Sequence, residues 1–189
     1  GEWGDIAAWL VDELDLAEFD VLGMSSGAPY SYAICNRLPD RARNIFIFSG
    51  TPALYDERVL SHWPYPANQD ASIDELERLA EELFFSGLSD QALQRADIVD
   101  SRMNHCFGIA QDLKLRCQDW GFRLAELQTP VYMQHSELDE SVPLVTAQMT
   151  AGLLPKCRLE VRKQGGHFSD EDLDAFIRST MLPHYDNTH

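Results

Sequence analysis

The sequence predicts an α/β fold, in which a parallel sheet is flanked by helices. An apolar run over residues 19–24, a helical pattern over 27–38 and a second apolar run over 44–49 give a strand, a helix and a strand in succession. This order is typical of a βαβ unit with parallel strands and a right-handed crossover. Apolar segments over 131–135 and 158–162 resume the alternation near the end of the chain. We therefore expect four strands in the sheet.

The individual elements carry different signals. The segment 44–49 is apolar without alternation, as in a strand that is covered on both faces. The segment 158–162 alternates, as in an edge strand with one solvated face. A first helix over 3–14 has one apolar stripe, formed by Trp3, Ile6, Ala7, Leu10, Val11 and Leu14. Further helices are predicted over 143–154 and, after a cap formed by Ser169 and Asp172, over a last segment that buries Leu173, Phe176 and Ile177.

The middle of the chain, residues 51–120, contains no convincing strand and is predicted to be a helical insertion. Ser72 and Glu75 form a capping box ahead of an apolar stripe. The other predicted helices of the insertion run from Ser89 to about Met103 and from about His105 to Cys117. The expected organisation is therefore a core of residues 1–50 and 121–189, interrupted by this insertion.

The composition excludes several classes of function. The 31 acidic and 15 basic residues give a net charge of −16, which would repel the phosphates of nucleic acids and an anionic membrane surface. No apolar run is long enough to cross a bilayer, and no signal-peptide pattern opens the chain. The four cysteines, Cys35, Cys106, Cys117 and Cys157, are scattered, and no group of residues has the spacing of metal ligands. We expect reduced thiols, a cytoplasmic location, no metal and no cofactor.

The segment Gly23–Gly27 has the pattern Gly-x-Ser-x-Gly and lies between a predicted strand and a predicted helix. A serine on such a tight turn needs small neighbours, and we expect side chains at Gly23 and Gly27 to collide across the turn. Ser25 would stand at the positive end of the following helix, where the backbone N–H of Ser26 can point at an oxyanion. The same short pattern also occurs in flexible loops, so the rest of the chain has to supply the partners of the serine.

A nucleophilic serine needs a general base, and the base needs an acid that holds it in the right tautomer. Loops at the carboxyl ends of parallel strands meet at one edge of the sheet. One such loop contains Asp139 and the next contains His167. The order Ser25, Asp139, His167 is the order found in hydrolases with a nucleophile elbow. Glu137 and Glu140 lie in the same loop as Asp139 and are alternative acids.

Three motifs resemble those of the α/β-hydrolase superfamily, in particular its lidded bacterial serine hydrolases. Gly-Met-Ser-Ser-Gly resembles the nucleophile elbow, His-Ser-Glu-Leu-Asp-Glu-Ser-Val-Pro the acid loop and Gly-Gly-His-Phe the histidine loop. In addition, Asp119-Trp120-Gly121-Phe122 resembles the exit from the lid. The resemblance spans residues 1–182. It implies Ser25 as the nucleophile, Asp139 as the orienting acid, His167 as the general base and Ser26 as an oxyanion-hole donor. Ser136 departs from the family pattern, which usually has glycine there, and we expect only a mild change in a loop.

The other histidines have weaker claims to a catalytic role. His135 ends a buried strand and is expected to be a core histidine with satisfied hydrogen bonds. His62 and His105 lie in the insertion, where they would belong to the lid surface or to a pocket wall. His184 and His189 are expected in a frayed tail.

The resemblance also implies several strands before the first helix and a His-Gly-rich loop that supplies a second oxyanion donor. The sequence contains neither of them. Loss of one such donor typically costs about 10²–10³ in rate. The strand that carries Ser25 would also become an exposed edge, which favours association. Because the chain begins with Gly1 rather than methionine, we expect a piece of a longer protein that self-associates or is completed by a preceding segment or another chain.

The sequence therefore predicts a serine hydrolase that cleaves a small-molecule carboxylic ester, or less readily an amide, through an acyl-enzyme. Residues 51–120 would form a lid over the pocket and set the choice of substrate. One alternative is a hydrolase-fold protein that binds a small molecule without turning it over, because fold alone does not guarantee activity. Acyl transfer or carbon–carbon bond cleavage on the same triad is another.

Overall fold

The computed structural model describes residues 2–66 and 70–186, so Gly1 and His189 lie outside the described residues. The chain forms two compact units. Gly1–Pro64 and Trp120–His189 make up the first, which we call the sheet unit, and Tyr65–Asp119 make up the second, the helical unit. The helical unit is thus inserted in the chain between two strands of the sheet unit.

Four parallel strands form the sheet, as predicted. They are β1 (Phe19–Met24), β2 (Ala42–Phe48), β3 (Val131–Ser136) and β4 (Cys157–Arg162). Their spatial order is the chain order, β1-β2-β3-β4. β1 and β2 end level, because Met24 pairs with Phe48. Phe48 pairs with Gln134, and β3 and β4 run two residues further, to the pair Ser136 and Arg162. The loops that follow these strands therefore emerge at one edge of the sheet.

The described residues form nine α-helices. They are α1 (Glu2–Glu13), α2 (Gly27–Arg37), α3 (Glu57–Leu60), α4 (Ile73–Phe85), α5 (Ala96–Met103), α6 (Phe107–Leu115), α7 (Leu144–Leu153), α8 (Asp170–Phe176) and α9 (Pro183–Asp186). A π-helical turn over Ile177–Met181 lies between α8 and α9. Ser169 caps α8 by accepting a hydrogen bond from the backbone N–H of Asp172, as predicted.

The strand β2 is buried on both faces, as its continuous apolar sequence predicted. Ile45 and Ile47 belong to a core cluster with Tyr32, and Phe46 and Phe48 to another. All four side chains are almost completely excluded from solvent. Since a fully buried side chain of this size contributes about 1.5–3 kcal/mol, the four side chains anchor β2 within the sheet.

The cluster that contains Phe46 and Phe48 also packs against the last described helices of the chain. Phe46 stacks on Tyr132 and contacts Phe176 edge to face. His184 of α9 lies with its ring centroid 5.3 Å from that of Phe46 and 4.5 Å from that of Tyr132. The expectation that His184 lies in a frayed tail is therefore wrong.

The first segment forms the helix α1 as predicted, but most side chains of its apolar stripe remain exposed. Ile6 is 55% and Leu14 57% exposed, whereas Val11 is buried. The helix instead contacts α2 through Gly4, where an added Cβ would lie 2.9 Å from Cβ of Arg37. Asp5 also accepts a hydrogen bond from that arginine at 2.6 Å. Close backbone approach and two surface ion pairs, Asp5 with Arg37 and Asp12 with Arg41, therefore help to hold α1.

The helical unit has a small core of its own. The predicted capping box is present: the N–H of Ser72 donates to the carboxylate of Glu75, and its hydroxyl accepts from the Glu75 N–H. The buried residues of this core are Leu76, Ala80, Phe85, Ile98, Cys106, Ala110 and Leu113. The predicted helix from Ser89 to Met103 is interrupted, because the extended backbone of Arg95 separates a short 3₁₀ turn from α5.

No helix in the described part of the chain is both long and apolar enough to cross a membrane. All four cysteines are free thiols. Burial raises the pKa of Cys35 to about 12 and that of Cys157 to about 11. These two thiols therefore stay protonated and unreactive at neutral pH.

Candidate active site

Ser25 occupies the turn between β1 and α2 in a strained conformation. Its φ angle is +46°, a region that residues with a side chain seldom adopt. Three backbone hydrogen bonds hold it there. Its N–H donates to Phe48 at 3.1 Å, and its carbonyl accepts from Ala28 at 3.1 Å and from Thr51 at 2.9 Å. The end of β2 thus fixes the turn that presents the serine.

The two glycines of the motif have different roles. A Cβ at Gly23 would lie 2.3 Å from Oγ of Ser31 and 3.1 Å from the carbonyl oxygen of Gly27. A Cβ at Gly27 would meet nothing within 4 Å. The expected collision is therefore real at Gly23 and wrong at Gly27, because Gly27 already belongs to the first turn of α2.

The structure brings Ser25, His167 and Asp139 together from three different loops. Oγ of Ser25 lies 2.9 Å from Nε2 of His167. The other ring nitrogen of His167, Nδ1, lies 2.8 Å from Oδ2 of Asp139. The serine follows β1, the aspartate follows β3 and the histidine follows β4, so the contacts depend on parallel strands whose carboxyl ends lie at the same edge of the sheet.

Asp139 is buried, and its carboxylate accepts hydrogen bonds from three groups. Oδ1 accepts from the backbone N–H groups of Ser141 at 2.9 Å and Val142 at 2.8 Å. Burial raises the pKa of this carboxyl, but the hydrogen bonds from His167 and Val142 outweigh it and hold the pKa below its ordinary value. The group is therefore a carboxylate at neutral pH and can orient His167 with its proton on Nδ1.

The two alternative acids do not take part in this arrangement. Glu137 and Glu140 are exposed, and neither makes a hydrogen bond or ion pair with its side chain among the described residues. His62 and His105 are exposed as well.

His135 is buried, as predicted, but it also contacts the acid loop. Its Nε2 donates to the carbonyl of Val142 at 2.8 Å and lies 3.3 Å from Oδ2 of Asp139. Its Nδ1 has no hydrogen-bond partner among the described residues, so the ring is only half satisfied. Burial lowers the pKa of His135, which keeps the ring neutral. The contact with Asp139 was not foreseen from the sequence.

Ser26 lies directly before α2, next to the serine of the turn. Its backbone N–H donates no hydrogen bond within the described residues. An N–H group that is left free beside a nucleophile is available to a developing oxyanion.

Chemically, the arrangement can carry one proton between a hydroxyl and an imidazole. The hydroxyl of Ser25 donates to Nε2 of His167, whose Nδ1–H donates to the carboxylate of Asp139. In the described residues, no group of three or more His, Cys, Asp or Glu side chains is placed to hold a metal ion.

No family model matches the sequence. Two curated proteins are similar to it over most of its length. One is a 2-hydroxy-6-oxononadienedioate/2-hydroxy-6-oxononatrienedioate hydrolase from Cupriavidus pinatubonensis, 26% identical over 198 residues, a match that covers 94% of this chain. The other is a hydrolase of the same name from Pseudomonas putida, 26% identical over 193 residues and 91% of this chain. The matches cover only 66% and 65% of the relatives' own lengths.

Several solved structures share the fold. An esterase from Exiguobacterium antarcticum matches 97% of this chain and 72% of its own with a TM-score of 0.67 at 18% identity. An α/β hydrolase from a Medee basin deep-sea metagenome matches 98% of this chain and 71% of its own with a TM-score of 0.65 at 14% identity. A meta-cleavage product hydrolase from Pseudomonas fluorescens matches all of this chain and 72% of its own with a TM-score of 0.60 at 17% identity.

Proposed function

We propose that this chain, which has the α/β-hydrolase fold, is a serine hydrolase with Ser25 as nucleophile, His167 as general base and Asp139 as orienting acid. The fold predicted from the sequence is confirmed by the solved structures that share it. The observation that carries the proposed chemistry is the continuous line of hydrogen bonds from Ser25 through His167 to Asp139, at 2.9 and 2.8 Å. Such a line activates a hydroxyl that is otherwise a weak nucleophile.

The proposed reaction is the hydrolysis of a small carboxylic ester, with amides as poorer substrates. Nε2 of His167 takes the proton of Ser25 while Oγ attacks the carbonyl carbon. The tetrahedral intermediate expels the alcohol, which leaves with the proton from His167, and an acyl-enzyme remains. Water then attacks the acyl carbon and gives its proton to His167. Collapse of the second intermediate releases the acid and returns the proton to Ser25.

Two further groups support this reaction. Asp139 remains ionised and stabilises the imidazolium that forms in each step, because its lowered pKa disfavours protonation. The free N–H of Ser26 is the proposed donor to the oxyanion of both intermediates. The helical unit, which interrupts the chain between β2 and β3, is the proposed lid and the proposed determinant of substrate choice.

Labelling with a fluorophosphonate probe tests the proposal directly. The probe phosphonylates a serine that is activated by a base, so wild-type protein should be labelled and Ser25→Ala should not. Ser179→Ala is the matched control, because this serine is exposed and, among the described residues, its hydroxyl contacts only Thr180. Peptide mapping should place the label on Ser25. Wild-type protein that takes no label would refute the proposal and favour a hydrolase fold that only binds its ligand.

A second candidate is carbon–carbon bond hydrolysis by the same three residues. Both curated relatives are named as hydrolases of 2-hydroxy-6-oxo dienedioates or trienedioates, which carry a ketone. Here water adds across the bond between the carbonyl carbon and its neighbour, so the leaving carbon must accept a proton, which His167 can deliver. The two candidates are separated by measuring kcat/KM for a 4-nitrophenyl ester and for a 2-hydroxy-6-oxo dienoate side by side. A larger value for the dienoate would replace the ester proposal with this one.

A further inference from the structure

Ser136 is the residue at which the chain departs from the family pattern, and its hydroxyl has a specific environment. It is the last residue of β3 and is buried. Its Oγ donates to the carbonyl of Gly165 at 2.6 Å and accepts from the backbone N–H of Leu138 at 3.0 Å. One hydroxyl thus joins the loop that contains Asp139 to the loop that contains His167.

The backbone of the histidine loop has few other attachments. Residues 163–168 make no backbone–backbone hydrogen bond with any described residue. The last such bond before them runs from the N–H of Glu137 to the carbonyl of Arg162, at 2.8 Å. Among the described residues, the hydroxyl of Ser136 is therefore the group that holds the backbone of this loop, through Gly165 and a longer contact of 3.4 Å to Gln164.

The conformation of Gly165 fits this attachment. Its φ angle is +79°, and an added Cβ would lie 2.4 Å from Oδ2 of Asp172. Asp172 is itself fixed by Arg162, at 2.5 Å. The glycine therefore lets the loop pass close to α8 while its carbonyl contacts Ser136, two residues before His167.

We propose that Ser136 is a positioning residue that holds the histidine loop against the acid loop, so that His167 stays within hydrogen-bond distance of both Ser25 and Asp139. This inference rests on the proposed function. Ser136 touches neither the nucleophile nor the base, and it acts through the backbone of Gly165. Without its hydroxyl, the loop would populate the productive geometry less often and kcat would fall, whereas the binding of substrate would not change.

The test compares Ser136→Ala and Ser136→Gly, which lack the hydroxyl, with Ser136→Thr, which keeps it. Ser179→Ala again serves as the matched control. Loss of one hydrogen bond of ordinary strength predicts that the labelling rate and kcat for a 4-nitrophenyl ester fall about 3-fold to 30-fold in the Ala and Gly variants, with KM unchanged. Ser136→Thr should recover most of the loss, which simple destabilisation of the fold would not explain.

A second measurement does not depend on turnover. The proton between Nδ1 of His167 and Asp139 gives a far-downfield NMR signal when the two groups are held together, and it should broaden or disappear in Ser136→Ala. Ser136→Ala that labels at the wild-type rate and keeps this signal would refute the inference and leave the proposed function intact. If wild-type protein takes no label, the proposed function fails, and the NMR comparison alone decides whether Ser136 holds the loop.

Discussion

Replacing Gly23 with alanine tests the close contact beneath Ser25. The added Cβ would lie 2.3 Å from Oγ of Ser31 and 3.0 Å from Cδ1 of Ile47, so at least one neighbour must move. Ser31 cannot move freely, because it is buried and its hydroxyl donates to the carbonyl of Gly27 at 3.0 Å. Breaking that bond or shifting β1 should cost about 2 kcal/mol of folding free energy.

Urea unfolding, followed by circular dichroism and tryptophan fluorescence, measures this cost. With a slope of about 2 kcal/mol per molar urea, the midpoint of Gly23→Ala should fall by about 1 M. Gly152→Ala is the control, because it lies in α7 with nothing within 4 Å of an added Cβ, and helix propensity predicts an equal or higher midpoint. In the Ser31→Ala background the nearest clash is absent, so Gly23→Ala should cost much less there. An unchanged midpoint in the single variant, or an equal cost in both backgrounds, would show that the turn does not depend on this contact.

Two other sites give further expectations. Asp139→Asn should slow fluorophosphonate labelling of Ser25 by about 10²–10⁴, because an amide does not hold His167 in the required tautomer, and labelling within threefold of wild type would contradict the assigned role. The lowered pKa of Asp139 means that its contribution to stability is fully present above the ordinary value of 3.8 and is lost as the pH falls below it. The urea midpoint of Asp139→Asn should therefore drop less than that of wild type between about pH 5 and pH 3, and equal drops would show that this carboxylate is not linked to folding. Ser72→Ala removes the hydroxyl of the capping box, whose hydrogen bond from Glu75 measures 3.3 Å, and should speed hydrogen exchange in the first turn of α4 by about fivefold, for a loss of about 1 kcal/mol; an unchanged rate would mean that the box does not stabilise the helix.

The sheet was predictable because its strands are short apolar runs. The pattern within each run indicates whether one face or both faces of the strand are buried. The segment 44–49 lacks alternation, and its side chains are buried on both faces of β2. The segment 158–162 alternates, and β4 lies at the edge of the sheet. In each case one chemical property, the exposure of apolar side chains to water, sets both the sequence pattern and the position in the sheet.

Helical periodicity was less informative, because it does not say what a face contacts or whether the backbone is continuous. The stripe of α1 has the right spacing, yet Ile6 and Leu14 remain exposed. The pattern from Ser89 to Met103 is periodic, but the chain breaks at Arg95, whose extended backbone precedes α5. The hydroxyl of Ser89 accepts a hydrogen bond from the N–H of Ala92 at 3.2 Å and caps the 3₁₀ turn that precedes Arg95. Ser89 therefore does begin a helical segment, but that segment is only one turn long.

In the candidate site, too, the residues that belong to local motifs were predictable, whereas the contacts between distant loops were not. The motif order placed Ser25, Asp139 and His167, because each follows a strand whose end is visible in the sequence. The supporting contacts depend on pairs of loops: Ser136 reaches Gly165, which is 29 residues away in the chain. A family pattern with glycine at position 136 offers no hydroxyl for such a bond, so the resemblance led us to expect a mild change where the structure has a link between two loops. Departures from a motif are therefore informative when the substituted side chain is buried and all its hydrogen bonds go to the loops that contain the reacting groups.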